Sequence, residues 1–468
     1  MTVTEVTVRT KNAFIVPELR DLLAVGDAKI LHNLYKAAHP AAIAELISTL
    51  SGKEAWAILQ YADPLLRAEI YSHLDKNIQA EIIKALRRED IARLLADMAP
   101  DDRADLFKQL SEDVREGILP ALAQAEREDI RRLASYKEGT VGAAMTSDYA
   151  TLSPQMNASQ ALERLRQIAP NRETIYYAYV LDDDRKLLGF VSLKDLIVAS
   201  RKDRVRDIMH HEIISVKVED DQENAAQKIQ KYDLIALPVL NDDDALVGII
   251  TYDDAIDIIT QEHTEDMEKF MAISGSHEPG AYLKTSSWVH FKNRVYWIVS
   301  LAAFGSLSGM IIHSFEATLM QILILALYMP MITDAGGNTG SQTATVVVRA
   351  LILREITSAD LFRVLSKEIK IAALLAVVLS ILSWGKIFFL SRGSEIPTGF
   401  SLAKISLAIA VALGLQVVSA TVIGALLPLS AAKMKWDPAV VASPALTTIV
   451  DITGLLIYFT TVRLFLGI

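Results

Sequence analysis

A chain of 468 residues without a single cysteine excludes disulfides and thiolate metal sites. The net charge of −10 is unevenly divided: residues 1–285 carry 34 Lys and Arg against 49 Asp and Glu, and residues 286–468 carry 13 against 8. So acidic a first part excludes a nucleic-acid partner, whose phosphates need a basic face, and suits cations instead.

Residues 1–15 read as a tail. The first twenty residues hold charges and no apolar run, so no signal peptide is expected and the acidic part belongs in the cytoplasm. Residues 16–132 read as short amphipathic helices with little strand signal. Pro40, Pro64 and Pro100 each precede a helical start, at intervals of 24 and 36. Near-repeats of this kind predict a small helical superhelix. Asp101 and Asp105 stand one turn apart on one face, where surface carboxylates near a helix start are ordinary.

Residues 138–259 change period, in two units (138–200 and 201–259) with one plan: strand, helix, apolar strand pair, closing helix. Gly189, Ser192 and Asp195 in the first coincide in spacing with Gly248, Thr251 and Asp254 in the second. The hydroxyl and the Asp at each helix start can cap that helix. The doubled plan resembles a tandem pair of CBS domains. In nucleotide-binding CBS pairs such residues face phosphate and ribose, which implies ATP as a regulatory ligand, with Tyr177 stacking on the base and Asp195 accepting ribose hydroxyls. Residues 260–289 form a connector whose Glu262, Glu265, Asp266 and Glu268 precede Phe270 and Met271.

From residue 290 onward the chain reads as membrane. Five segments near 293–314, 318–342, 368–390, 401–430 and 437–466 are long and apolar enough to cross, at about 20 residues each. Lys284, Lys292 and Arg294 precede the first; Arg349, Arg354, Arg363, Lys367 and Lys370 separate the second from the third; Lys433 and Lys435 precede the fifth. The positive-inside rule puts the N-terminal part inside and the C-terminus outside.

Within the last span stands Asp451, where a charge near the bilayer centre costs about 2.5–3.5 kcal/mol. The second span ends in a polar run, and Ser443, Thr447 and Thr448 accompany Asp451. One carboxylate among neutral oxygens suits a hard divalent cation that keeps its waters, above all Mg2+. A homodimer would bring two such carboxylates to one axis. Tight helix packing accounts equally well for Gln416, Ser419 and Thr421 in the fourth span.

The run Gly336-Gly337-Asn338-Thr339-Gly340-Ser341-Gln342, with Asp437-Pro438-Ala439 and Asp451-Ile452-Thr453-Gly454, resembles the MgtE family of magnesium channels, over nearly the whole chain. The resemblance implies a multidomain fold: an all-α superhelical N domain, α/β tandem CBS domains, a connecting plug helix and a five-helix transmembrane domain forming a homodimeric pore. It implies a Mg2+ path lined by Asp451, Gly337, Asn338, Ser341, Ser443 and Thr447. Ser341 and Ser443 stand where family members carry Asn. It also implies regulatory Mg2+ at Glu69, Asp101, Asp105, Asp221, Glu223, Asp233, Asp254, Asp257, Glu262, Glu265, Asp266 and Asp437, binding of which closes the path. The partners expected are a second copy, membrane lipid and Mg2+ itself. The competing reading is an ion-coupled exchanger of divalent cations (Mg2+, Co2+ or Mn2+). No P-loop and no nucleophile–base set points to an enzyme.

Overall fold

In the computed structural model the chain divides into two compact units, Met1–Thr260 and Gln261–Ile468. The structure describes residues 28–275, 282, 285–439 and 444–468. The 1–15 tail and Ser443 therefore lie outside the described residues.

The first unit begins with short helices from Ala28–Ala37 to Gln124–Leu133. Proline opens three of them, Pro40–Ile47, Pro64–Ser72 and Pro100–Gln109, where its fixed φ suits the first helical position and its missing N–H costs nothing. Most of these helices pack on the one two places further on. Gly52–Leu59 meets Lys76–Ala85, Pro64–Ser72 meets Arg88–Asp97, and Pro100–Gln109 meets Gln124–Leu133. That pattern winds a superhelix around a core containing Ile47, Ile58, Ile70, Tyr71, Ile82 and Leu95.

The 36-residue interval is also structural. Arg67 donates to the carbonyls of Leu59, Gln60 and Ala62 at 3.0, 3.2 and 2.9 Å. Arg103 does the same for Leu95, Ala96 and Met98 at 2.7, 3.4 and 2.6 Å. Each guanidinium thus satisfies carbonyls that a preceding helix leaves open at its end.

Two three-stranded sheets follow, both with a parallel first pair and an antiparallel second. The first orders β1 (Tyr149–Leu152), β2 (Thr174–Leu181) and β3 (Leu187–Ser192); the second orders β4 (Val216–Lys217), β5 (Ala236–Leu240) and β6 (Leu246–Thr251). The halves exchange edges. Thr146, ahead of the first sheet, pairs with Ile249 of β6, and His210, ahead of the second, pairs with Phe190 of β3. Gly189 and Gly248 make these crossings possible: a Cβ on Gly189 would stand 2.7 Å from the His210 carbonyl oxygen, and one on Gly248 would stand 2.8 Å from that of Thr146.

The helix Tyr252–Phe270 leaves β6 in the first unit and ends in the second. Five long helices build the rest of the second unit: Ser287–Ser314, Ile324–Ile352, Leu361–Leu390, Leu402–Lys433 and Pro444–Leu466. By length and composition, four helices among the described residues are apolar enough to cross a membrane: Ser287–Ser314, Ser358–Leu390, Leu402–Lys433 and Ala445–Leu466. The helix Ile324–Ile352 falls outside that set, and it carries the polar run. Its bounds also differ from the 318–342 expected: a short helix, Glu316–Gln321, precedes it, so the run occupies the middle of the span and not its end.

Leu402–Lys433 is the hub, packing against Leu361–Leu390, Ile324–Ile352 and Pro444–Leu466. Small residues set the approach: a Cβ on Gly424 would lie 2.5 Å from the Gly340 carbonyl oxygen, and one on Gly340 would lie 3.2 Å from that of Ala420. Tyr458, fully buried, donates to the Leu325 carbonyl at 2.9 Å and anchors the last span to the start of the second.

Candidate functional site

Polar groups gather along the seam between Ile324–Ile352 and Pro444–Leu466. A Cβ on Gly337 would lie 3.5 Å from the Thr447 methyl carbon. Gly337 is buried, Ser341, Thr447 and Asp451 are half-buried, and Asn338 is exposed. Thr447 and Asp451 are four apart and share a face of the last helix. The seam therefore opens one side of the single chain onto a strip of hydroxyls, an amide and one carboxylate.

Behind the strip lies Gln416, fully buried. Its Nε2 donates to the Val450 carbonyl at 2.9 Å. Space for that amide exists because Gly336 and Gly454 lack side chains; a Cβ on Gly454 would stand 2.5 Å from Nε2. Thr453 Oγ1 donates to the same carbonyl at 3.1 Å. Gln416 thus braces the backbone one residue before Asp451, a positioning role that residue type alone did not separate from ordinary packing.

A second group lies on the end of Tyr252–Phe270. Lys269 Nζ lies 2.8 Å from Glu265 and 3.1 Å from Asp437. Burial works against the Lys269 charge, but these two carboxylates outweigh it and raise its pKa. Asp266 is pushed up by burial and then by Asp437. Glu262 is half-buried beside them in sequence, on the same helix. Close by, Glu265, Glu268, Lys269, Ile273 and Trp297 line a cavity of about 380 Å³.

The third group lies in the first unit. Asp101 sits in the first turn of Pro100–Gln109, with its Oδ1 buried and unpartnered among the described residues. Burial raises its pKa well above the usual carboxylate range, helped by Asp102, Asp254 and Glu173. Asp254 accepts from the Thr251 hydroxyl at 2.6 Å, yet burial and the acids around it still lift it to about 6. Glu173 rises to about 7, through burial and then Asp254, Asp253 and Asp102. Glu173, Asp102 and Asp253 escaped the sequence reading: as single acids 70 to 150 residues apart they carry no shared motif, and only the fold brings them together.

Other candidates stand apart. Asp105 is exposed and pairs with Lys108 at 3.3 Å. Glu69 and Asp257 are exposed. Asp221 caps Gln222–Tyr232 by accepting from the Glu223 N–H at 2.8 Å, and Glu223 accepts from Gln227 at 2.8 Å. Asp233 closes that helix in the left-handed conformation, with φ of 51°. An 11-residue helix separates Asp221 from Asp233 by about 18 Å, so one ion does not join them within one chain. Among the described residues no three Asp, Glu or His side chains converge closely enough to hold a metal directly. An ion that keeps its waters and leans on one or two carboxylates needs no such convergence.

At the proposed nucleotide positions, Tyr177 packs edge-on against Phe190 at 5.2 Å, and Phe190 stacks on His210 at 5.1 Å. Asp195 accepts from Ser192 at 2.6 Å and meets His210 Nε2 at 3.0 Å. Burial would raise Asp195, but these hydrogen bonds hold it below its ordinary range.

Comparison with known proteins places these groups in a family. Residues 329–461 match the MgtE divalent cation transporter model, 38–139 the MgtE intracellular N domain, and 141–202 and 205–261 the CBS domain. The magnesium transporter MgtE of Thermus thermophilus is 35% identical over 96% of this chain and 98% of its own. That of Bacillus subtilis is 34% identical over 71% of each. A crystal structure of the soluble part of a magnesium transporter is 32% identical, covers 53% of this chain and 97% of its own, and superposes with a TM-score of 0.50.

Proposed function

The chain belongs to the MgtE family of divalent cation transporters, and from that premise we propose that it is a homodimeric Mg2+ channel for uptake, closed from the cytoplasmic side by Mg2+ itself. MgtE proteins are transporters, and the chain is not an enzyme.

The observation that carries the reading is the seam. Asp451 and Thr447 on one membrane helix, beside Asn338 and Ser341 on the next, offer one carboxylate and several neutral oxygens. A hydrated dication needs acceptors for its waters and one centre of charge. Two copies around an axis would double that charge and enclose the strip, which a single chain leaves open. Ser443 adds a further hydroxyl in this reading. Five crossings, counting Ile324–Ile352 with the four more apolar helices, leave the N-terminus inside and the C-terminus outside a cell membrane.

Control is assigned to the acids. Burial and neighbouring acids make negative charge costly on Asp101, Asp254 and Glu173, with no basic side chain offsetting it among the described residues, so they fit a divalent ion. Glu265, Asp266 and Asp437, with Glu262, form the second regulatory set. Asp105, Asp257, Glu69, Asp221, Glu223 and Asp233 act where a second copy or another domain completes them. Ions that bind the closed arrangement better must favour it. ATP joins as a modulator at Tyr177 and Asp195.

The test is Mg2+ flux into liposomes holding the full chain. Wild type should carry flux that follows the electrochemical gradient without a counter-ion, and Asp451→Ala should reduce it at least about tenfold. Flux that requires an opposing cation gradient would establish the exchanger instead.

A further inference from the structure

The second membrane helix carries an acid that the seam leaves unused. Asp334 lies in the first half of Ile324–Ile352 and is exposed in the single chain. Packing fixes the rotation of this helix: Gly336, Gly340 and Thr343 are buried, with Gly336 and Gly340 turned to Gln416 and Ala420. At 3.6 residues per turn, Asp334, Asn338, Ser341 and Thr345 fall on the opposite face. Three of these four are exposed and Ser341 is half-buried. The Asn338 amide donates to Asp334 Oδ1 at 3.1 Å.

A carboxylate and an amide at this depth are not left against lipid; they face a water-filled cavity or another chain. The height of Asp334 follows from the packing. Gly336 and Gly454 meet the same Gln416 amide, and Gly340 faces Val450 and Leu446, so the two helices run antiparallel. With Gly337 facing Thr447 as well, Asp451 is level with residues between about 333 and 339, and Asp334 stands roughly 4 Å from the middle of that stretch, toward the start of the second helix.

We propose that Asp334 is a second carboxylate of the ion path, on the outer side of Asp451, where it and Asn338 capture a hydrated divalent cation before it reaches Asp451. This rests on the channel reading and its orientation. The hydrogen bond between the pair orients them, leaving the second carboxylate oxygen and the Asn338 amide oxygen to accept from the ion's waters. A charge at the mouth raises local cation concentration without setting the final choice of ion.

The natural chain has no cysteine, so Asp334→Cys gives the full-length protein one thiol. In planar bilayers this substitution should raise the half-saturating outer Mg2+ concentration about fivefold or more, as should Asp334→Asn. A sulfonate-bearing thiol reagent added outside should bring it back toward wild type, and a trimethylammonium reagent should suppress the current. Asn338→Cys should respond to the two reagents with the same opposed signs, which serves if Asp334→Cys fails to assemble. Half-saturation within twofold of wild type, or currents indifferent to both reagents from outside, would overturn the proposal. A wild type without any Mg2+ current would instead refute the channel reading beneath it.

Discussion

Glu173 shows what burial does to a single acid. With Asp254 and Asp101 it forms a set whose folded pKa values stand above those of the unfolded chain, Glu173 at about 7 and Asp254 at about 6. A raised carboxylate favours the folded form only while it is protonated. Its contribution is complete below the unfolded value near 4 and is lost as pH rises through about 6 to 7. Without divalent ions the thermal midpoint of the full chain should therefore fall between pH 5 and 8, and Glu173→Gln should flatten that fall. Saturating Mg2+ should do the same for wild type. Calorimetry showing equal slopes for wild type and Glu173→Gln in metal-free buffer would remove the cluster from the account. At this scale the sequence was only partly legible. Asp451 and Asp101 announced themselves by position, one in an apolar helix and one beside Asp105. Glu173 had no such mark, and Gln416 looked like packing until Gly336 and Gly454 were seen to make room for its amide.

On the helix Tyr252–Phe270, Lys269 bridges Glu265 and Asp437, two of the carboxylates we propose for regulatory Mg2+. A tethered ammonium competes with an incoming dication for the same oxygens, and it lowers the negative charge the ion meets. Lys269→Gln should therefore lower the cytoplasmic Mg2+ concentration needed for half-closure, by about threefold to tenfold. A shift to higher concentration in patch recordings would mean that Lys269 holds the closed arrangement by itself. The short superhelix helices were legible element by element, because proline marks three starts and the 36-residue interval reappears in the Arg67 and Arg103 clamps. The second span was not. Hydropathy weights its polar run against membrane insertion, so the apolar stretch before the run drew its predicted bounds toward residue 318, while the helix itself runs to Ile352. The glycines of the repeated triplets were legible only as spacing; the exchange of sheet edges between halves, which needs Gly189 and Gly248, depends on chain crossings far apart in sequence.

For the molecule as a whole, the division of charge separated an acidic part from an apolar one near residue 285, whereas the fold divides the chain after Thr260, so the acidic connector belongs to the second unit. The family follows from both halves together. In the proposed homodimer the open strip at Asp451 and the scattered exposed acids are half-sites, each completed by the second copy. The account's central claim is that acids in the cytoplasmic part and the connecting helix let internal Mg2+ close the path. Patch recordings of the full chain, with Mg2+ titrated on the cytoplasmic face, test it most directly. Wild type should close as internal Mg2+ rises, and the triple variant Asp101→Asn, Asp257→Asn, Asp266→Asn should stay open over the same range with unchanged conductance. Closure of the triple variant at the wild-type concentration would contradict the claim.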